Sequence, residues 1–152
     1  MPAGVASAGS EIAFSLTGPA DPTVAADWEA LTWVVWEEAT NIGEIGVEAD
    51  EAEYVPVKSG EKVKISTIVD NGSADAEGPF DPTDPAIQLL QTATDARPIS
   101  PVYTRVTNSK GRVSYFKGNP RNFKEKIGGA GDILMIGAAV SVSGSILRVD
   151  PV

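Results

Sequence analysis

Residues 102–117 read VYTRVTNSKGRVSYFK, and this pattern predicts a β-hairpin. Two segments rich in valine, threonine and aromatic residues, Val102–Thr107 and Arg112–Lys117, flank the four residues from Asn108 to Gly111. β-Branched and aromatic side chains favour strands, whereas asparagine and glycine favour the turn between them. The glycine stands where a tight turn requires a positive φ. An antiparallel pair of strands is therefore the starting point of the predicted fold.

Outside this hairpin, 15 glycines and 11 prolines divide the chain into further short segments with strand character. Ser73–Gly78 alternates alanines with acids, so one of its faces is packed and the other is solvated. A turn at Asp70-Asn71-Gly72 precedes it. The other predicted strands are Glu11–Thr17, Glu29–Glu37, Glu61–Val69, and an apolar pair, Ile133–Val142 and Ser145–Val149, which turns at Ser143-Gly144 and is buried on both faces.

The strand Glu61–Val69 has two different faces, because successive side chains of a strand alternate between its sides. Lys62, Lys64 and Ser66 share one face. The opposite face carries Val63, Ile65, Thr67 and Val69.

One segment has helical character. Asp84 and Pro85 provide an N-cap and a proline at the first helical position, and apolar residues recur at helical spacing as far as Ala93. Pro98 ends the helix. A helix of this length can cover one face of a sheet but cannot enclose a core alone. The predicted fold is mainly β, a sandwich or barrel of antiparallel strands with one flanking α-helix over about Asp84–Ala96.

The length of 152 residues suits one domain with its own core. Residues 1–10 are small and uncharged. We interpret them as a flexible N-terminal arm rather than a signal peptide, and residues 11–152 as the single domain. No run of residues is apolar enough to span a membrane.

Cysteine and histidine are absent, which excludes disulfides, thiolate metal sites and a histidine base.

Other residues that could carry chemistry lack the required pattern. Gly128-Gly129-Ala130-Gly131 has neither the ending of a phosphate loop nor dinucleotide-binding spacing, so we interpret it as a turn. Carboxylates cluster at Asp50–Glu53 and at Asp81–Asp84 without calcium-loop spacing. Glu37 and Glu38 would point to opposite faces of a strand and could not share a hydrolytic site. We therefore expect no enzymatic activity, no metal and no cofactor.

Charge is unevenly distributed along the chain, whose formal net charge is −9. Eleven carboxylates and no base precede Lys58, whereas eight of the 12 bases lie between Arg97 and Lys126 with Glu125 as the single acid. Complementary but unlike surfaces favour head-to-tail association into rings or filaments. The alternative is that folding averages the charges out. The negative total argues against free binding to nucleic acid.

The acidic segment is the predicted long loop Ala39–Gly60, and a loop of that length is typically functional or mobile. We expect it to contact an adjacent subunit or ring. Its acids are Glu44, Glu48, Asp50, Glu51 and Glu53. The complementary basic surface is predicted to comprise Arg105, Lys110, Arg112, Lys117, Arg121 and Lys124.

Three tryptophans, Trp28, Trp33 and Trp36, cluster in the sequence. Our preferred interpretation is that they pack the core. The alternative is an aromatic platform for sugars or for a neighbouring subunit, because Trp33 and Trp36 have opposite strand parity and one of them could leave the core.

In element order, Glu29 to Val149 resembles the major tail tube proteins of long-tailed bacteriophages. The resemblance rests on Asn41-Ile42-Gly43-Glu44-Ile45-Gly46 after an early strand, the acidic loop, and Val57-Lys58-Ser59-Gly60 before a strand. It continues with the proline-initiated helix, the hairpin Tyr103–Phe116, Phe116-Lys117-Gly118, and Gly131-Asp132 before the last strands.

The resemblance implies a virion protein, assembled in the host cytoplasm, that forms hexameric rings stacked into a hollow tail tube. Copies of itself, a tape measure protein, and tail terminator and distal tail proteins are the implied partners, and DNA passes through the lumen without specific binding during genome ejection. Tube proteins of secretion systems look similar, and a carbohydrate- or protein-binding β-sandwich is the other alternative.

An acidic lumen would let DNA slide. We predict that Asp75, Glu77, Glu37 and Glu38 face it.

Overall fold

The computed structural model describes residues 8–46, 48–70 and 72–151. The predicted N-terminal arm therefore lies mostly outside the described residues, as does Asn71 of the predicted turn. The elements are β1 (Glu11–Ser15), α1 (Ala25–Glu29), β2 (Val34–Val35), β3 (Glu48–Tyr54), β4 (Val63–Asp70), β5 (Ser73–Pro79), α2 (Pro85–Asp95), β6 (Val102–Thr107), β7 (Val113–Lys126) and β8 (Met135–Val149).

Six of the strands form one antiparallel sheet in the order β2-β1-β6-β7-β8-β5, curled into a half-barrel. The predicted fold class, mainly β and antiparallel with a flanking helix, is confirmed. The hairpin at residues 102–117 is confirmed as β6 and the start of β7, and Gly111 has a φ of +93°. Asn108 stabilises its turn, because Oδ1 accepts hydrogen bonds from the amides of Lys110 and Arg112, both at 3.0 Å.

The second predicted hairpin, turning at Ser143-Gly144, is wrong. β8 is one strand of 15 residues that pairs along its length with β7. Gly144, with a φ of +81°, lies in an irregular stretch where the register shifts between Tyr115 and Lys117 of β7. A glycine in a strand can thus mark a bulge that bends the sheet instead of a turn that reverses the chain.

The predicted burial on both faces of Ile133–Val142 and Ser145–Val149 is wrong at both ends. Ile133 and Leu134 precede the strand and are exposed, and no residue of Ser145–Val149 is buried. Burial holds only in the first half of β8, where Ile136 and Ala138–Val140 are buried.

Helix α2 begins as predicted. Asp84 caps it by accepting a hydrogen bond from the amide of Ala86 at 2.9 Å, and Pro85 is its first residue. Its apolar side packs into the main core, which the sheet supplies from its concave face. The buried residues of the helix are Ala86, Ile87, Leu90 and Ala93.

Each helix is preceded by the same tripeptide, Asp-Pro-Thr, a repeat that is visible in the sequence but was not predicted to form a turn. The side chains of Asp21 and Asp81 each accept hydrogen bonds from the amide and the hydroxyl of the threonine two residues later. These bonds favour the charged carboxylate and lower the pKa of both aspartates. The repeated turn redirects the chain before each helix.

The predicted strand Glu29–Glu37 is mostly wrong. Helix α1 ends at Glu29, and only Val34–Val35 pair with β1. The indole Nε1 of Trp28 donates to the carbonyl of Pro22, and that of Trp33 donates to the carbonyl of Trp28, both at 2.9 Å. These local bonds favour a compact helical turn over an extended strand, so the described residues form two helices where one was expected.

The two edges of the six-stranded sheet are joined by residues 34–41. At one edge β2 pairs with β1, and at the other Asn41 pairs with Glu77 of β5. Between them lies Trp36, 1% exposed, whose amide donates to the carbonyl of Ile12 at 2.9 Å. The segment can approach β5 closely because Gly78 has no side chain. A Cβ there would lie 2.9 Å from the carbonyl oxygen of Glu38 and 3.0 Å from the Trp36 ring.

Replacing Gly78 with alanine should therefore separate this segment from β5. We expect a loss of about 1–3 kcal/mol in the free energy of unfolding, typical of overpacked sites. Urea denaturation measures it. Gly46→Ala is the matched control, since a Cβ there meets nothing within 4 Å. Equal unfolding midpoints for the two variants would contradict the tight packing.

Candidate assembly surfaces

The predicted long loop Ala39–Gly60 is wrong over its second half, because residues 48–54 form strand β3. β3 pairs with β4 in a two-stranded sheet separate from the main one. The sequence does contain a strand pattern here, because acids alternate with Ala52 and Tyr54. The high density of carboxylates made the segment look like a loop instead. We call residues 48–70 the acidic hairpin. It contains six acids and three bases, a net charge of −3.

The acidic hairpin is amphipathic. Ala52 lies opposite Ile65, and Tyr54 lies opposite Val63, so these four side chains share a face. On the other face Glu53 lies opposite Lys64. The predicted alternation of β4 side chains between two faces is confirmed. This statement does not cover the side chain of Thr67, which is not among those described. The apolar face of the hairpin comprises Ala49, Ala52, Tyr54, Val63, Ile65 and Val69.

This apolar face does not pack against the body of the protein. Tyr54 is 54% exposed, Ile65 48% and Val69 60%. An isolated two-stranded hairpin is only marginally stable in water, and an exposed apolar face adds a hydration cost. The acidic hairpin therefore has the composition of a surface that is covered in an assembly.

The predicted acids of this segment are exposed, and all except Glu44 lie on the hairpin. Glu53 forms an ion pair with Lys62 at 3.4 Å. The exposed carboxylates are Glu44, Glu48, Asp50, Glu51 and Glu53.

The predicted basic residues are not gathered into one patch. Along β7 they extend from near Arg112 to Lys124, about 40 Å of strand. Arg105 pairs with Glu11 of β1 at 3.1 Å and lies 5.3 Å above the ring of Trp33, which precedes β2. Arg112 pairs with Asp150 at 2.9 Å. The exposed bases are Lys110, Arg112, Lys117, Arg121 and Lys124.

Asp75 and Glu77 lie on the convex face of the sheet, as their alternation with the buried Ala74 and Ala76 predicts. They do not form a purely acidic surface there. Glu77 pairs with Lys126 at 2.6 Å and Asp75 lies 3.9 Å from Arg121. We call this surface of β5, β7 and β8 the mixed-charge face. Its charged residues are Asp75, Glu77, Arg121, Lys124 and Lys126.

The remaining predicted lumen residues, Glu37 and Glu38, are exposed. They lie in the segment that crosses from β2 to β5. The backbone carbonyl of Glu38 lies next to Gly78, so Glu37 and Glu38 are close to β5. Unlike Glu77, they are not part of that strand.

The core interpretation of the tryptophans is confirmed for Trp28 and Trp36, which are 2% and 1% exposed. Trp36 fills the main core. Trp28 and Trp33 form a second cluster on the convex face with Tyr103 and Tyr115. Burial, with the nearby charge of Glu29, raises the pKa of Tyr115.

Trp33 is stacked against Trp28 with 6.4 Å between ring centroids, and Arg105 lies over the Trp33 ring. A sugar platform requires an open ring face. The contacts on Trp33 therefore make it a packing residue.

Within residues 8–46, 48–70 and 72–151, no three carboxylates are close enough together to hold a metal ion. Gly128–Gly131 forms the predicted turn, between β7 and β8. No helix in the described part of the chain is long and apolar enough to cross a membrane.

Two solved structures share the fold of this chain. One is a chain of the six-fold symmetrised baseplate of the anti-feeding prophage, with a TM-score of 0.69, 12% identity, and coverage of 99% of this chain and 98% of that one. Another belongs to the sheath/tube terminator of an extracellular contractile injection system in its extended state. Its TM-score is 0.65 at 9% identity, with 97% of each chain covered.

No family model matches the sequence. No curated protein matches it either. At such low identities the structural likeness establishes a shared fold over nearly the whole chain. The predicted relation to siphophage major tail tube proteins stays a prediction.

If Trp33 is a packing residue, its replacement by alanine should cost stability. We expect a loss of about 1–3 kcal/mol, since a half-buried ring and its cation–π contact are removed. Urea unfolding followed by fluorescence measures it, and Trp33→Phe should lose less. An unchanged midpoint, with a sugar that quenches the fluorescence of the unmutated protein but not of the alanine variant, would favour the platform instead.

Proposed function

We propose that this protein is a structural subunit of a tail-like particle, whose copies form stacked hexameric rings around a channel. The observation that carries the proposal is the acidic hairpin, which leaves the body of the fold with its apolar face uncovered. A monomer gains nothing from this arrangement. An assembly gains apolar burial at each contact, and the effect repeats with every added copy.

The structural neighbours support this role, because both belong to multi-subunit tail-like particles and match this chain almost from end to end. The six-fold symmetry of one neighbour supports hexameric rings. In the full proposal the protein is the tail tube subunit of a phage virion, through which DNA passes during ejection. Its partners are then further copies, a tape measure protein, and tail terminator and distal tail proteins.

We further propose that the mixed-charge face lines the channel, with Glu37 and Glu38 near it. On this face Asp75 and Glu77 balance Arg121 and Lys126 through ion pairs. Bases that are paired with carboxylates bind phosphate less strongly than free ones, because the local positive potential is reduced. DNA would then slide without being retained. The role is structural, without catalysis or a cofactor.

A second candidate is a subunit of an injection or secretion particle whose cargo is not DNA. The neighbour from an extracellular contractile injection system favours it. Both candidates require the same assembly and differ in what moves through the channel. A carbohydrate-binding module has less support, because Trp33 is covered by Arg105 and Trp28.

Removing the acidic hairpin should abolish assembly without unfolding the body. Gly72 lies close to Gly46, so a short Gly-Ser link can replace residues 47–71. We expect a folded monomer by circular dichroism and light scattering, and no rings or tubes in negative-stain electron microscopy. A control that shortens only the tip, residues 56–61, tests whether the strands are what matters. Normal tubes from the variant without the hairpin would refute its role.

Neutralising the acids of the mixed-charge face should slow DNA passage. Asp75→Asn with Glu77→Gln leaves three bases unbalanced, so phosphate is held more strongly, most of all at low salt. Ejection kinetics of assembled virions measure the effect, which we expect to reach several-fold. The control neutralises Asp95, the last residue of α2, and Glu125, which lines the same pocket. Equal kinetics for the two pairs would place the channel elsewhere.

A further inference from the structure

We infer that the apolar face of the acidic hairpin docks on the loop between β7 and β8 of a second copy, residues 127–134. This inference rests on the proposed function and identifies the receiving surface. Like the hairpin, this loop carries several large apolar side chains that are exposed. Ile127 is 68% exposed, Ile133 72% and Leu134 38%.

The hairpin and the loop lie at opposite ends of β5. The hairpin enters the main sheet at Gly72, whose carbonyl accepts a hydrogen bond from the amide of Val142 at 2.9 Å. At the far end of β5, Pro79 pairs with Met135, the first residue of β8 after the loop. The six steps of β5 between Ser73 and Pro79 separate the two surfaces by about 20 Å. Both surfaces stay exposed within one copy, so the hairpin does not cover its own loop and is available to dock on that of the next.

The loop is held in a defined conformation. Asp132 accepts a hydrogen bond from the amide of Gly129 at 2.8 Å, and its own amide donates to the carbonyl of Gly129 at 3.1 Å. Leu134 is anchored because its carbonyl accepts from the amide of Phe80 at 2.9 Å. A preformed apolar surface loses little conformational entropy when a partner covers it. These contacts make the loop suited to receive a partner.

Charge favours the same pairing. The hairpin carries a net −3, whereas residues 121–134, the loop and the strand end that leads into it, carry three bases and two acids, a net of +1. Opposite charges steer the two surfaces together and set their orientation. Two hairpins meeting face to face would instead bring like charges together. The contact is heterologous, so each copy offers one hairpin and one loop, and the association continues into a ring or stack.

Cysteine cross-linking tests this contact, because the chain has no cysteine of its own. One variant carries Ile65→Cys on the hairpin and the other Ile133→Cys in the loop, with tags of different size. After the two are mixed and oxidised, we expect a mixed disulfide dimer at least ten-fold above that from a control pair. The control replaces the loop variant with Val24→Cys, an exposed apolar position before α1. Tyr54→Cys substitutes for Ile65→Cys should that variant fail to fold.

Electron microscopy of the same samples separates this inference from the proposed function. If tubes form and the mixed dimer is present, the docking surface and the proposed function are both supported. If tubes form but the mixed dimer does not exceed the control, the docking surface is overturned and the proposed function still stands. A dominant dimer between two Ile65→Cys copies would mean that hairpins pair with each other, which also overturns the inference. Absence of both assembly and cross-links overturns the two together.

Discussion

The fold depends on one chain segment that runs from one edge of the curled sheet to the other and pairs with both. Residues 34–41 pair with β1 at one edge and with β5 at the other, and Trp36 fills the space between. The crossing requires Gly78, where any side chain would meet the Glu38 carbonyl and the Trp36 ring. The crossing segment covers part of both sheet edges, which leaves them less open to a partner strand. In the proposed assembly we therefore expect the contacts to come mainly from the acidic hairpin and the loops.

Local signals in the sequence predicted local structure well. The hairpin at residues 102–117, the capped start of α2 and the alternation in β5 each follow from neighbouring residues. What could not be predicted depends on distant partners. Gly144 looked like a turn because the sequence does not reveal that β7 continues to Lys126 and holds β8 extended. β3 looked like a loop because strongly acidic segments disfavour strands, and its pairing with β4 overrides that preference.

The charge asymmetry of the chain is partly neutralised by folding and partly kept. Glu11 and Arg105, Glu77 and Lys126, and Arg112 and Asp150 pair within one molecule. Exposed pairs such as Arg112–Asp150 contribute only about 0–1 kcal/mol each, so they can be exchanged for contacts with another copy. The acids of the hairpin keep a net negative charge, which gives the hairpin both an apolar face for affinity and a charged face for orientation. The sequence indicated complementary surfaces, but their positions required the fold.

We propose that this protein acts by assembling with copies of itself. Cryo-electron microscopy of the purified, unmodified protein across a range of concentrations tests this proposal. We expect closed rings or hollow tubes in which the apolar face of the acidic hairpin is covered by a neighbouring copy. A protein that stays monomeric at high concentration, with Tyr54, Ile65 and Val69 still exposed to solvent, would contradict it.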